Sequence, residues 1–151
     1  MRLFVAFDVP GRPGWHMTVV FLGEVEDPDP VADAVASALG PPAGPLEPRR
    51  LLELPRRHPR LLAVEYADPS GRCGALQAAV SDALVEAGLH QPERRRWLPH
   101  VSIARLRDEP VRPSLDGLGF TPEQLVLYRS LLGGGRPARH EALRTWPLAQ
   151  S

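Results

Sequence analysis

The sequence predicts an α+β fold of two lobes, with mainly antiparallel sheets around a central cleft and helices outside. Strand-like and helix-like segments alternate irregularly along the 151 residues. The linker between the first two strand-like segments has only about five residues, too few for the crossover that parallel neighbours need. Each half of the chain also contains one helix and one strand with a similar polar tripeptide. We therefore expect a single two-lobed domain over residues 1–151.

Hydrophobic spacing and turn residues give the order of the elements. Helical spacing predicts helices over 30–39 and 74–87, each followed by a glycine that suits a helix end. The proline-rich segment 41–48 is predicted to be an ordered loop. Strand-like runs cover 2–9, 15–22, 51–54, 61–66, 98–106, 125–132 and 142–148, the last two around Gly133–Gly135.

The charged residues limit the catalytic mechanisms that are open to this chain. All 18 basic residues are arginine, because the sequence contains no lysine. Phosphate-binding loops with a lysine, Schiff-base catalysis and a covalent lysine–nucleotide intermediate are therefore excluded. Eighteen acidic residues balance the arginines, so we expect no large nonspecific basic surface.

Cysteine usage and the first residues bear on the compartment. The single cysteine, Cys73, excludes an internal disulfide and any metal site built from several cysteines. The apolar start of the chain is interrupted by Asp8 and Pro10, so it is too short for a signal-peptide core or a membrane span. We expect a soluble cytoplasmic protein with no membrane association.

Two tripeptides, His16-Met17-Thr18 and His100-Val101-Ser102, carry the most chemical information. Strand alternation gives each a polar face: His16, Thr18 and Val20 in the first, and His100, Ser102 and Ala104 in the second. The opposite faces are apolar: Met17, Val19 and Phe21, and Val101 and Ile103. The apolar faces should anchor both strands in a core, with the polar pairs lining a cavity between the lobes.

The residue types on the polar faces suit phosphoester chemistry. Histidine titrates near neutral pH, so one imidazole can accept a proton while the other donates one. Each hydroxyl can donate a hydrogen bond to a nonbridging phosphate oxygen, and water can serve as the nucleophile. A metal site built on the two histidines is an alternative, but no nearby set of His, Asp and Glu residues completes a usual ligand group, so no metal is expected.

These motifs and their surroundings resemble a known family, the two-histidine (2H) phosphoesterases. The similarity is to the RNA 2′,3′-cyclic phosphodiesterases historically called 2′-5′ RNA ligases, and it spans nearly the whole chain. The resembling stretches are Arg2–Asp8, His16–Val25, Pro99–Leu106, Leu127–Ser130 and Trp146–Leu148.

The resemblance implies a bilobal fold whose motifs face a V-shaped cleft. It also implies opening of a 2′,3′-cyclic phosphate to a 2′-phosphate without metal or other cofactor. On that basis His16 is expected to be the acid and His100 the base, with Thr18 and Ser102 holding phosphate oxygens. Arg105 matches a family arginine after the second motif and is a candidate for a charge-assisted contact with substrate. Strict alternation would turn Arg105 away from His100, so either the strand twists there or Arg105 is structural.

The sequence departs from the family in two places. The family usually has a helix-containing segment before the first motif, where this chain has only residues 9–15. We expect this loss to thin the first lobe and to expose apolar sheet surface for a partner or a dimer. His140 occupies a position where the family tends to have tyrosine. We expect an exposed loop histidine there, with a third active-site group as the alternative.

Three further features are predicted to be structural or incidental. Trp15 is expected to pack in the core at least as readily as it floors a nucleotide pocket. Trp97, which follows the basic run Arg94–Arg96, is expected to pack in the core rather than to stack on a base. Cys73 lies at a predicted helix start, where its pKa could fall, but no catalytic partner is in view.

The expected partner is RNA or a nucleotide that carries a 2′,3′-cyclic phosphate. Two alternatives remain open at this point. One is a non-catalytic module that binds RNA or nucleotides on the same fold. The other is a phosphodiesterase for another small cyclic phosphate, such as an ADP-ribose derivative.

Overall fold

A computed structural model describes residues 1–131 and 139–150 of the chain. A short 3₁₀ turn at Leu106–Asp108 follows the fifth strand. The strands and helices, in chain order, are β1 Arg2–Asp8, β2 His16–Glu24, α1 Pro28–Ser37, β3 Glu47–Leu54, β4 Leu61–Ala67, α2 Arg72–Glu86, β5 His100–Arg105, β6 Gln124–Leu131 and β7 Arg139–Pro147.

The strands form two antiparallel sheets, which confirms the predicted α+β class. The first sheet has the order β2-β1-β6-β7 and forms the first lobe, and the second has the order β3-β4-β5 and forms the second lobe. β1 and β2 are antiparallel neighbours, as their short linker requires. The first lobe is built from both ends of the chain, because β6 pairs with β1.

The inner packing joins both sheets and both helices in one apolar cluster. Leu3, Val5 and Phe7 of β1 are fully buried in it, together with Val35 of α1 and Leu84 of α2. The expectation that the shortened segment 9–15 exposes apolar sheet surface is therefore wrong for this face. The two helices contact one another and belong to the cluster that covers β1.

Two element boundaries differ from the prediction for local reasons. β3 begins at Glu47, inside the segment predicted as a loop, and Pro48 is tolerated because β3 lies at the edge of its sheet. α1 begins at Pro28 rather than at residue 30. The Asp27 side chain caps it by accepting a hydrogen bond from the backbone N–H of Asp29 at 3.0 Å. The predicted glycine run Gly133–Gly135 lies outside the described residues.

Neither helix in the described part of the chain is long and apolar enough to cross a membrane.

Candidate active site

A β-bulge in β2 determines which side chains of the first motif face the cleft. Thr18 pairs with Ala6 and Val20 pairs with Val5, so Val19 has no partner on β1. The extra residue reverses the alternation beyond it. Phe21 therefore points to the cleft side and is 52 % exposed, whereas Val20 is buried in the core. The sequence prediction placed these two residues on the opposite faces.

β5 contains a bulge at the equivalent position of the second motif. Ser102 pairs with Ala63 and Ala104 pairs with Leu62, which leaves Ile103 unpaired. Beyond the bulge, Arg105 returns to the same face as His100 and Ser102. The bulge therefore resolves the conflict between strict alternation and a cleft-facing Arg105.

The cleft contains a first cavity of about 480 Å³, on the side of His16. Its polar lining comes from both lobes: His16, Ser102, Arg105, Ser130, Arg139 and His140. Its apolar floor includes Phe4, whose ring lies 5.0 Å from that of His16 between centroids. Ser102 is exposed, so its hydroxyl is open to a ligand.

A second, adjoining cavity of about 260 Å³ contains His100 and Thr18. Phe21 borders both cavities. The two catalytic candidates therefore line neighbouring cavities, and each cavity combines the histidine of one motif with the hydroxyl residue of the other. The imidazoles are near enough that the charge of His100 contributes to lowering the pKa of His16.

His16 lies in an environment that disfavours its protonated form. Burial, followed by the charge of His140, lowers the pKa of His16 to about 4. The backbone of Gly14 acts in the opposite direction, but Nδ1 of His16 is buried without a hydrogen bond. On β1, Asp8 is the cross-strand neighbour of His16, and burial raises the pKa of that carboxyl. In the unliganded protein His16 is therefore neutral at pH 7.

His100 is held more firmly than His16. Its Nδ1 lies 2.9 Å from the Leu98 carbonyl oxygen, which can accept a hydrogen bond from a protonated Nδ1. That bond fixes the ring and leaves Nε2 as the free nitrogen. The cross-strand neighbour of His100 on β4 is Glu65, a buried carboxylate that accepts a hydrogen bond from Arg50 Nε at 2.8 Å.

His140 lies on strand β7 rather than in an exposed loop, so that expectation was wrong. It pairs with Ser130 on β6 and is partly buried. Its ring lies 4.7 Å from that of His16 and 4.8 Å from that of Tyr128, both in edge-to-face geometry. Sequence reasoning missed this contact because it depends on the pairing of β7 with β6, for which no local pattern gives the register.

Trp97 packs against the core, as predicted, and also links the two lobes. Its indole lies edge-on to Phe7 at 6.4 Å. Its Nε1 donates a hydrogen bond to the backbone carbonyl of Thr18 at 3.0 Å. Trp15 also packs against the core cluster, and the Arg12 guanidinium lies over its ring.

The thiol of Cys73 is not activated by a lowered pKa. It is buried at the start of α2, where burial raises the pKa of its thiol to about 11. The thiol donates to the Gly44 carbonyl at 3.3 Å. Within residues 1–131 and 139–150, no three His, Cys, Asp or Glu side chains are grouped so that they could hold a metal ion.

A larger groove of about 830 Å³ continues from the first cavity past Phe21, Leu61 and Arg105. We call it the basic groove, because three arginines line it. Its residues are Phe21, Pro59, Arg60, Leu61, Arg105, Leu106 and Arg107. An exposed aromatic ring beside several guanidinium groups is typical of surfaces that bind single-stranded nucleic acid.

Comparison with known proteins agrees with this geometry. Residues 8–132 match the model of the 2′-5′ RNA ligase superfamily. No individually curated protein has a sequence similar enough to match.

Two solved structures illustrate the shared fold. Escherichia coli LigT in complex with 3′-AMP superimposes with a TM-score of 0.76 at 22 % identity, over 99 % of this chain and 98 % of LigT. TT0787 of Thermus thermophilus gives a TM-score of 0.70 at 26 % identity, over 99 % of each chain. The family match over most of the chain, together with two His-x-Thr/Ser strands around one cleft, shows that this protein belongs to the 2′-5′ RNA ligase superfamily of two-histidine phosphoesterases.

Proposed function

We propose that this protein hydrolyses a 2′,3′-cyclic phosphate, at the end of an RNA or on a nucleotide, to a 2′-phosphate. The observation that carries the proposal is the pairing across the cleft. Two imidazoles and two hydroxyl residues from separate lobes line adjoining cavities, with Arg105 beside them. This set can move two protons and stabilise a phosphoryl group at the same time.

The proposed step needs only water as a co-reactant. The water oxygen attacks phosphorus while the bond from phosphorus to the ribose 3′-oxygen breaks. One imidazole accepts the proton that the water loses, and the other donates a proton to the departing 3′-oxygen. The products are a free 3′-hydroxyl and a 2′-phosphate, and a proton then returns between the two imidazoles through solvent.

We assign the base to His16 and the acid to His100, the reverse of the order expected from the resemblance. A neutral imidazole can accept a proton, and the lowered pKa keeps His16 neutral at pH 7 in the free protein. His100 has its Nδ1 directed to the Leu98 carbonyl, so Nε2 is the nitrogen available to the leaving oxygen.

Thr18, Ser102 and Arg105 are proposed to hold the phosphoryl oxygens. Hydroxyl donors stabilise the charge that develops on nonbridging oxygens, and a guanidinium adds a charge-assisted bond. The structures of LigT with 3′-AMP, NADP⁺ and ATP show that this fold holds nucleotides in a relative. That ability supports a nucleotide-bearing substrate here.

The test is incubation with 2′,3′-cyclic AMP, a short RNA that ends in a 2′,3′-cyclic phosphate and an ADP-ribose cyclic phosphate, each with EDTA. We expect a 2′-phosphate product, identified by phosphorus NMR against 2′- and 3′-phosphate standards. Conversion should be lost in His16→Ala and His100→Ala and retained in His58→Ala, which changes an exposed histidine of the β3–β4 turn.

Other results would overturn the proposal in different ways. Tight binding without turnover would favour a non-catalytic binding module. Turnover that EDTA abolishes would contradict the two-imidazole mechanism. Turnover of the ADP-ribose derivative alone would place the substrate in another class.

A further inference from the structure

The two motif strands differ in the side chain that follows the bulge. On β5 the bulge brings Arg105 to the first cavity, whereas the matching bulge on β2 brings Phe21. The first-lobe motif strand therefore presents an aromatic ring at the place where the second presents a cation. A phosphate in the first cavity would be held by Arg105 on the second-lobe side. On the first-lobe side a cation has to come from strand β7, where Arg139 and His140 line the cavity.

Of these two, Arg139 is exposed, and His140 is positioned to supply charge next to His16. Its ring is in edge-to-face contact with His16 and Tyr128, and it lines the first cavity together with Ser102 and Arg105. Strand β7 places it there from the edge of the first sheet by pairing with Ser130. The mechanism described above makes no use of this imidazole.

Charged and titratable groups face His140 from the neighbouring strands. On β1, the charge of Asp8 interacts favourably with His140. On β2, His16 is in contact with it, and on β5 and β7, Arg105 and Arg139 line the same cavity. Tyr128 on β6 is neutral near pH 7, since burial raises the pKa of its phenol. Glu141, the next residue on β7, is exposed.

We propose that His140 is a substrate-binding residue whose imidazolium contacts the phosphoryl group from the first-lobe side, opposite Arg105. The inference rests on the proposed function in that the ligand is a phosphoester. Ligand affinity then increases as the pH falls, because a bound anion draws a proton onto His140.

Because His140 is in contact with His16, protonation of His140 depends on the bound ligand. Two adjacent imidazoles repel when both are charged, and the charge of His140 is one cause of the lowered pKa of His16. An anion between His140 and Arg105 offsets that repulsion. Binding of the anion and protonation of His140 are thus coupled.

Sulfate is a suitable probe, because it keeps its charge unchanged between pH 5 and pH 8. The experiment measures sulfate affinity by calorimetry at pH 5.5 and 7.5 for the wild type, His140→Tyr and His140→Arg. We expect His140→Tyr to weaken sulfate binding about tenfold at pH 5.5 and much less at pH 7.5, as for loss of a charge-assisted bond. His140→Arg, with a permanent cation, should bind well at both pH values.

A matched control and a measurement on the wild type separate this role from a structural one. His58→Tyr changes an exposed histidine of the β3–β4 turn and should behave as wild type. In the wild type, proton NMR should show the His140 Cε1 resonance moving on sulfate addition, with its titration midpoint shifted to higher pH. If His140→Tyr unfolds, this resonance still decides the question.

The outcomes also separate this inference from the proposed function. Equal pH dependence of sulfate binding in the wild type and folded His140→Tyr, with no movement of the His140 resonance, would overturn the role of His140. Failure to hydrolyse any cyclic phosphate, with the sulfate results as expected, would overturn the hydrolase alone. For a turnover-competent protein, His140→Tyr should raise KM about tenfold at pH 5.5, and His140→Arg should restore it.

Discussion

The motif strands β2 and β5 are built alike and surrounded differently. Each has a histidine followed two residues later by a hydroxyl, and each has a bulge at the next residue. Around His100, the Leu98 carbonyl accepts a hydrogen bond from the ring. The corresponding carbonyl, that of Gly14, favours a charged His16 but makes no hydrogen bond with its buried Nδ1.

This contrast shows how one local motif gives two imidazoles of different character. The strands determine where the histidines point, and the neighbouring strands determine how readily each ring accepts a proton. In the first lobe, burial and His140 favour a neutral ring. In the second lobe, the carbonyl fixes the orientation of the ring. Acid–base catalysis requires such a difference, because the two groups start the reaction in opposite protonation states.

The largest expected effect comes from removing either imidazole. We expect His16→Ala and His100→Ala each to lower kcat at least about 100-fold, because each loses one partner in general acid–base catalysis. The double variant should be little worse than either single one, since the two groups act in one step. Initial rates of 2′,3′-cyclic AMP hydrolysis by the single and double variants measure these losses of kcat. Retention of a tenth of the activity by either variant would contradict paired catalysis.

The different environment of His16 should appear in the pH dependence of stability. The pKa of His16 is about 4 in the folded protein and 6.5 as the ordinary value. The unfolded chain therefore binds more protons between these values, and the free energy of unfolding falls as the pH drops through this window. For a shift of this size, the contribution of His16 should fall by about 2 kcal/mol from pH 7 to pH 5.

Urea unfolding of the wild type and His16→Gln at both pH values measures this contribution. Glutamine does not titrate, so the variant should lose less stability on acidification than the wild type. His58→Gln, at an exposed turn, is the control for removing any histidine. Equal acid sensitivity of the wild type and His16→Gln would show that burial does not keep His16 neutral.

Phe21 and Arg105 occupy matching positions on the two motif strands, and replacing them should weaken binding of different ligands. Arg105→Ala should weaken binding of both nucleotide phosphate and sulfate about tenfold, whereas Arg105→Lys should recover part of that loss. Phe21→Leu should weaken nucleotide binding about fivefold and leave sulfate binding unchanged, if its exposed ring stacks on a base. Calorimetry with adenosine 2′-monophosphate and sulfate distinguishes them. A loss of sulfate affinity in Phe21→Leu would show that this ring supports the phosphate site instead.

The smallest effects are expected from the basic groove, which lies beyond the motif strands. Arg60→Ala and Arg107→Ala should each weaken binding of a short RNA about threefold, with less effect on a mononucleotide, because exposed charges contribute little. The salt dependence of RNA binding should become shallower. Arg72→Ala, at the exposed start of α2, is the matched control. Equal losses of affinity for RNA and for a mononucleotide would show that RNA does not bind in the groove.

Much of the fold could be predicted from the sequence, because the linker lengths and hydrophobic spacings that indicate it are local. The short linker between β1 and β2 required antiparallel neighbours, and helical spacing located α1 and α2 to within a few residues. The faces of β2 and β5 were predictable only as far as the bulges. Alternation assigns Phe21 and Val20 wrongly, because an extra residue depends on the partner strand and leaves no local signal.

The surroundings of the candidate site were less predictable for the same reason. His140 reaches His16 through the pairing of β7 with β6 and of β6 with β1, and the second of these pairings joins segments from opposite ends of the chain. Arg105 was ambiguous until the bulge at Ile103 was known. No local pattern gives the register of β7 on β6, so the sequence contained no signal that places His140 on the cleft side.

The bond between Trp97 and Thr18 has a consequence for movement. It joins the segment before β5 to the middle of β2, so it runs from one side of the cleft to the other beside both motifs. Separating the lobes like the halves of a hinge would break this bond and lift the indole from Phe7. Opening of the cleft is therefore opposed by both contacts, so Trp97 favours a constant spacing between the two motif strands.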